Sequence, residues 1–187
     1  MGKGGRQVTG ALRAARAIDQ LSLWLMRIAL VIAVLAVVAM LGAAGWQVIA
    51  RYLLAQPPAW TEELARFCMV WGGLLGASCA YRLKSDPTLF PDALKAEGAR
   101  GQVFAVLRSL GVLAFVLPIL WFCVFGPGNN IARGYLARLA GRQAETMDLP
   151  MMVFGIAIPI AFTFILVHVL ADLARAFVKT TETETVR

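Results

Sequence analysis

Histidine occurs once in these 187 residues, cysteine three times, and acidic residues only 11 times against 18 lysines and arginines. One histidine cannot supply a bis-histidine haem site without a second chain. No His/Cys cluster has zinc-site spacing, no glycine-rich loop is built to cradle phosphate, and no nucleophile stands beside a base in a familiar motif. The residues give no positive reason to expect an enzyme, so no catalytic, cofactor-binding or metal residues are assigned. Cys68, Cys79 and Cys123 all fall in apolar runs. Their odd number and setting favour buried thiols acting as small hydrophobes over disulfides. The scarcity of acid leaves a net charge of +7, a balance that nucleic-acid binders also reach. Here the basic residues follow topology instead.

What the chain has in abundance is apolar sequence: 59% of its residues are hydrophobic and the mean hydropathy is +0.71. A spanning helix needs about 20 mostly apolar residues. Runs at about 25–50, 62–81, 103–125 and 149–171 qualify. The stretches between them are too short for a soluble domain. The reading is an all-α membrane protein, a single four-helix transmembrane domain over 1–187 with a disordered tail at 180–187. Lys3, Arg6, Arg13, Arg16 and Arg27 precede or open the first run. Arg82, Lys84, Lys95, Arg100 and Arg108 lie between or flank the second and third, and Arg175, Lys179 and Arg187 follow the fourth. The other two connections hold only Arg51 and then Arg133, Arg138 and Arg142. The positive-inside rule therefore predicts cytoplasmic N and C termini, with membrane lipid and no nucleic acid as partner. The first run exceeds a signal-peptide core, so an uncleaved helix is expected. Trp24 and Trp46, then Trp60 and Tyr81, bracket the first two spans as interface anchors, and Trp121 sits near the end of the third.

The polar punctuation is concentrated between spans one and two. Pro57-Pro58 stops the first helix, Thr61 is placed to cap the second, and Glu62 and Glu63 sit near its positive dipole end. Leu64 leaves the capping box incomplete. Helical spacing puts Glu62, Arg66, Met69, Gly73, Gly76, Ala77 and Ala80 on one face, and Gly72–Gly76 adds a GxxxG spacing. That face is expected to meet protein rather than lipid. The loop 82–102 carries the turn-forming pairs Asp86-Pro87 and Pro91-Asp92. After Gly126-Pro127-Gly128, the arc of Ile131, Ala132, Tyr135, Leu136 and Leu139 predicts a short interfacial helix between spans three and four. Pro118 and Pro159 are expected to bend the last two spans. His168, Asp172 and Arg175 share one side of the fourth helix near its end. They read as a proton relay or, preferably, as polar residues finishing a helix with Arg175 snorkelling to water. The middle of every span is apolar apart from Ser78, cysteine and Thr163, a poor lining for a pore or carrier.

Trp46-Gln47-Val48-Ile49-Ala50-Arg51-Tyr52, then Pro58-Ala59-Trp60-Thr61-Glu62-Glu63-Leu64-Ala65-Arg66, Trp71 and Gly76-Ala77 resemble the small membrane subunit of tripartite ATP-independent periplasmic (TRAP) transporters, the DctQ-like family. Leu149-Pro150 and Ala157-Ile158-Pro159-Ile160 resemble the opening of that family's last helix. The likeness runs over roughly 20–175 and is strongest over 46–82. One departure stands out: where the family often has a Gly-His-Ile-x-Val-Asp-like stretch, this chain reads Lys84-Ser85-Asp86-Pro87-Thr88-Leu89-Phe90-Pro91-Asp92, without the histidine.

The resemblance implies a non-catalytic scaffold subunit in a bacterial or archaeal inner membrane. Its partners would be a large elevator-type permease subunit and a periplasmic substrate-binding protein, importing organic acids on a sodium gradient. Within that setting, subunit contact or binding-protein docking is expected of Arg51, Trp60, Thr61, Glu62, Glu63 and Arg66, and the small-residue spacing already described gives helix packing to Gly72, Gly73, Gly76, Ala77 and Ala80. In the structural version one carboxylate pairs with Arg66 or Arg51. In the docking version an exposed Glu63 receives the binding protein. A membrane anchor of a redox complex and a self-associating channel-like protein are the alternative readings.

Overall fold

The computed structural model describes residues 3–85 and 98–185. Helix α1, Lys3–Tyr52, is 50 residues long, about 75 Å at 1.5 Å per residue. It takes in the apolar run at about 25–50 and begins well before it, since no proline interrupts the Ala-, Leu- and Arg-rich stretch before Trp24. Past its end, Leu53 N–H still reaches Ile49 O at 2.9 Å, and Ala55 turns the chain with a φ of 53°. Helix α2, Trp60–Leu83, closes on Lys84 in the left-handed region. There Lys84 N–H bonds Tyr81 O and Ser85 N–H bonds Ala80 O, which satisfies the last carbonyls of the helix. The turns at Asp86-Pro87 and Pro91-Asp92, with most of the divergent 84–92 loop, lie outside the described residues.

Helix α3, Gly98–Val124, contains Pro118. A 3₁₀ turn at Ile131–Arg133 and helix α4, Tyr135–Ala140, fill the place where a short helix was expected. Helix α5, Met152–Gly155, leads into α6, Ala157–Thr185. The break at Gly155–Ile156 follows from Pro159, whose ring collides with a carbonyl four residues back and offers it no N–H. No glycine or proline follows Pro159, and α6 continues through Thr185.

Helices long and apolar enough to cross a membrane occupy Leu12–Tyr52, Trp60–Leu83, Gly101–Val124 and Met152–Ala176. Among the described residues there is no strand, only isolated bridges at Gly126–Asn130 and Gln143–Pro150. Helices α1, α2 and α6 pack against one another, while α3 leans chiefly on α6. The core is Ala29, Ala33, Leu75, Cys79 and Ala161, edged by Met26, Trp71, Leu74, Ile160 and Phe164. Small residues at its centre let the backbones approach closely. The outside is greasy: Val31, Val34, Leu35, Val38 and Leu41 of α1 and Leu107, Leu110, Phe115 and Phe122 of α3 are exposed. A surface of that kind is at home in hydrocarbon and not in water.

Candidate functional site

Two polar constellations terminate the helix bundle, one at each end of α2. At the end where α2 begins, the chain between α3 and α5 folds into a small lobe. Its two glycines are forced by close approach. A Cβ on Gly126 would lie 2.3 Å from Arg133 O, and one on Gly134 would lie 2.1 Å from Val124 O. Helix α4 packs on α5 through Gly155, where a Cβ would strike the Leu139 side chain. Beyond α4 the chain doubles back: Ala144 N–H bonds Leu149 O and Met151 N–H bonds Arg142 O, both at 2.9 Å.

Glu63 fastens the tip of this turn to α2. Its carboxylate accepts the backbone N–H of Glu145 at 2.9 Å, the N–H of Thr146 at 2.8 Å, and the Thr146 hydroxyl. The residue is 5% exposed. The docking version required an exposed Glu63; instead its lone pairs are taken by donors of its own chain. Thr61 is likewise buried, and it does not cap the helix. Because α2 starts at Trp60, one residue earlier, Thr61 lies within the first turn and its hydroxyl donates back to Pro58 O at 2.7 Å.

The other residues assigned to this rim stay open. Glu62 and Arg66 form an exposed pair at 3.7 Å with side chains 67% and 63% accessible, a geometry that contributes little to stability. Arg51 is exposed and pairs with no carboxylate among the described residues; Trp60 is also exposed. The small residues of α2 are divided between two faces. Gly72 is buried, with Val37 and Ala33 of α1 within reach of a Cβ. Gly73 and Ala77 are exposed, Gly76 and Ala80 half-buried, and Gly73 and Gly76 have nothing within 4 Å of a built Cβ. Glu62, Arg66, Met69, Gly73 and Ala77 thus form a stripe that no helix among the described residues covers.

At the opposite end, three helices are tied by two arginines and two aspartates. Arg82 of α2 contacts Asp19 of α1 at 2.5 Å and Asp172 of α6 at 3.9 Å. Arg175 contacts Asp172 at 2.5 Å and Asp19 at 3.4 Å. One turn deeper, the fully buried His168 places Nδ1 2.7 Å from Ser22 Oγ. Beside the cluster the Arg108 guanidinium lies over the Tyr81 ring, 4.8 Å from its centroid. His168, Asp172 and Arg175 are therefore members of an interhelical network and not residues that merely finish α6. Asp19, Ser22 and Arg82 were not singled out from sequence. The available signal was Asp19 itself, the sole carboxylate among the first 61 residues and set among arginines.

No curated protein matches the chain at a significant level. A family model described as tripartite ATP-independent periplasmic transporters, DctQ component, matches residues 40–179. That span takes in the Glu63 lobe, the open α2 stripe, and Arg82, His168, Asp172 and Arg175, leaving only Asp19 and Ser22 of the constellations before it. With most of its length matched and four helices long and apolar enough to span a membrane, the chain belongs to the DctQ component family of TRAP transporters.

Proposed function

We propose that this chain is the small permease subunit that widens the stationary scaffold of a larger, elevator-type permease. The assembly imports organic acids delivered by a periplasmic binding protein, on a sodium gradient, across the inner membrane of a bacterium or archaeon. The observation that carries this reading is the open α2 stripe from Glu62 to Ala77. A helix that exposes glycine and alanine at regular spacing accepts another helix closely, and the exposed Glu62–Arg66 pair fixes its register at the rim. On the positive-inside rule the Glu63 lobe faces the periplasm and the Asp19–Arg82–Asp172–Arg175 network the cytoplasm. Glu62, Arg51 and Trp60, being exposed, remain available for contact with the large subunit or the binding protein, whereas Thr61 and Glu63 serve the fold of this chain.

The test is a charge swap. Glu62→Arg and Arg66→Glu, each alone, are expected to lower the yield of complex with the co-expressed large permease, and the double swap to restore it. Unchanged yield in all three would reject a contact role for the pair. Uptake by liposomes holding this chain alone would reject the scaffold role itself.

A further inference from the structure

Ser78 Oγ, His168 Nε2 and Arg82 Nε are closed off from solvent, and none makes a hydrogen bond among the described residues. Helical spacing brings the three to one region of the bundle. Phe67 stacks on Phe154 of α5 and Arg82 faces Asp172 of α6, so α2 runs in the same sense as the α5–α6 segment. Ser78 and His168 each precede the Arg82–Asp172 pair by four residues, about one turn, and so share a level. Ser22 reaches that level from α1 and occupies the other ring nitrogen of His168. Buried polar groups left without a partner are rare, and where they converge a bound water with about three hydrogen bonds is the usual resolution.

We propose that one water molecule is bound between α2 and α6 at this level, held by Ser78 Oγ and His168 Nε2 and reached by Arg82 Nε. The chemistry of the three groups selects water over an ion. When Nδ1 accepts from the Ser22 hydroxyl, Nε2 carries a proton and donates; in the other tautomer it accepts. Water serves both, an anion only the first. The four members of the network, Arg82 and Arg175 against Asp19 and Asp172, balance one another, while Arg108 and Lys84 nearby add positive charge, so chloride is the competing occupant that the test must separate from water. A metal cation would meet a guanidinium at the same site. The bound water links the buried imidazole to the ion network and completes a polar layer beneath it. None of this depends on the transporter reading.

His168 is the only histidine in the chain, so ¹⁵N-histidine labelling reports a single ring. In the full-length chain in lipid bilayers, solid-state NMR is expected to show short-mixing magnetisation transfer from water protons to Nε2. That transfer should weaken in Ser78→Ala and vanish in Ser78→Leu, whose side chain fills the space, while the Ser22-bonded Nδ1 keeps its shift. Should Ser78→Leu fail to fold, the unmodified chain and Ser78→Ala decide the matter. Absence of transfer in the unmodified chain, or transfer unchanged by either substitution, overturns the proposal. So does an Nε2 signal that follows chloride concentration, which would assign the site to an anion.

Discussion

Glu63 illustrates how far a residue's neighbours in sequence can mislead about its role. Its place in the first turn of α2, beside Glu62, offered the helix dipole as sufficient reason for a carboxylate. Its partners are instead the amides of Glu145 and Thr146, more than 80 positions away, and no local pattern announces such a pairing. Glu63→Gln keeps the shape but presents an NH₂ to groups that are all donors. The lobe is then expected to loosen, with faster tryptic cleavage after Arg142 as the measurement. Gly134→Ala is expected to destabilise the same lobe by about 1–3 kcal/mol, read from denaturant titration, because its Cβ must displace the Val124 carbonyl. The glycines of Gly126-Pro127-Gly128 were legible as a stop to α3. The close crossing that makes Gly126 and Gly134 necessary was not, since it depends on where the returning chain lies.

At the scale of elements, the four spans could be read from hydropathy alone, and their observed limits differ from the expected ones mainly where polar residues continue a helix. Hydropathy marks where a helix meets hydrocarbon and says little about where its backbone hydrogen bonds end. The Arg-rich first turns of α1 and the Thr/Glu-rich last turns of α6 are helical beyond the apolar runs. Small-residue spacing on α2 was also legible, but not its division between partners. Gly72 faces α1 and Gly73 faces outward, one residue and about 100° apart. Substitution separates the two roles. Gly72→Leu is expected to lower the melting temperature of the isolated chain by forcing α1 and α2 apart. Gly73→Leu should leave that stability within about 0.5 kcal/mol, yet reduce recovery of the complex with the large permease. Equal effects on the isolated chain would contradict the geometry.

Across the whole molecule, the Asp19–Arg82–Asp172–Arg175 network does what the apolar contacts cannot: it specifies which turn of α1 lies beside which turn of α2 and α6. Buried ion pairs are weak sources of stability, but removing one member strands its partners. Arg82→Gln is expected to destabilise the chain by about 3–5 kcal/mol, since Asp19 and Asp172 would then share only Arg175. Adding Asp172→Asn should recover part of that loss, and thermal unfolding of the singles and the double measures the coupling. Net charge and its placement on the loops were visible in the sequence; the pairing of Arg82 with a residue 63 positions earlier was not. Fixed by charge at one extremity and by the Glu63 latch at the other, α2 resembles a rod held in two bearings. Sliding by a single turn would break both mountings, whereas tilting as a rigid body with α1 and α6 would break neither. Mechanical communication from one face of the membrane to the other through this subunit is therefore confined to rocking.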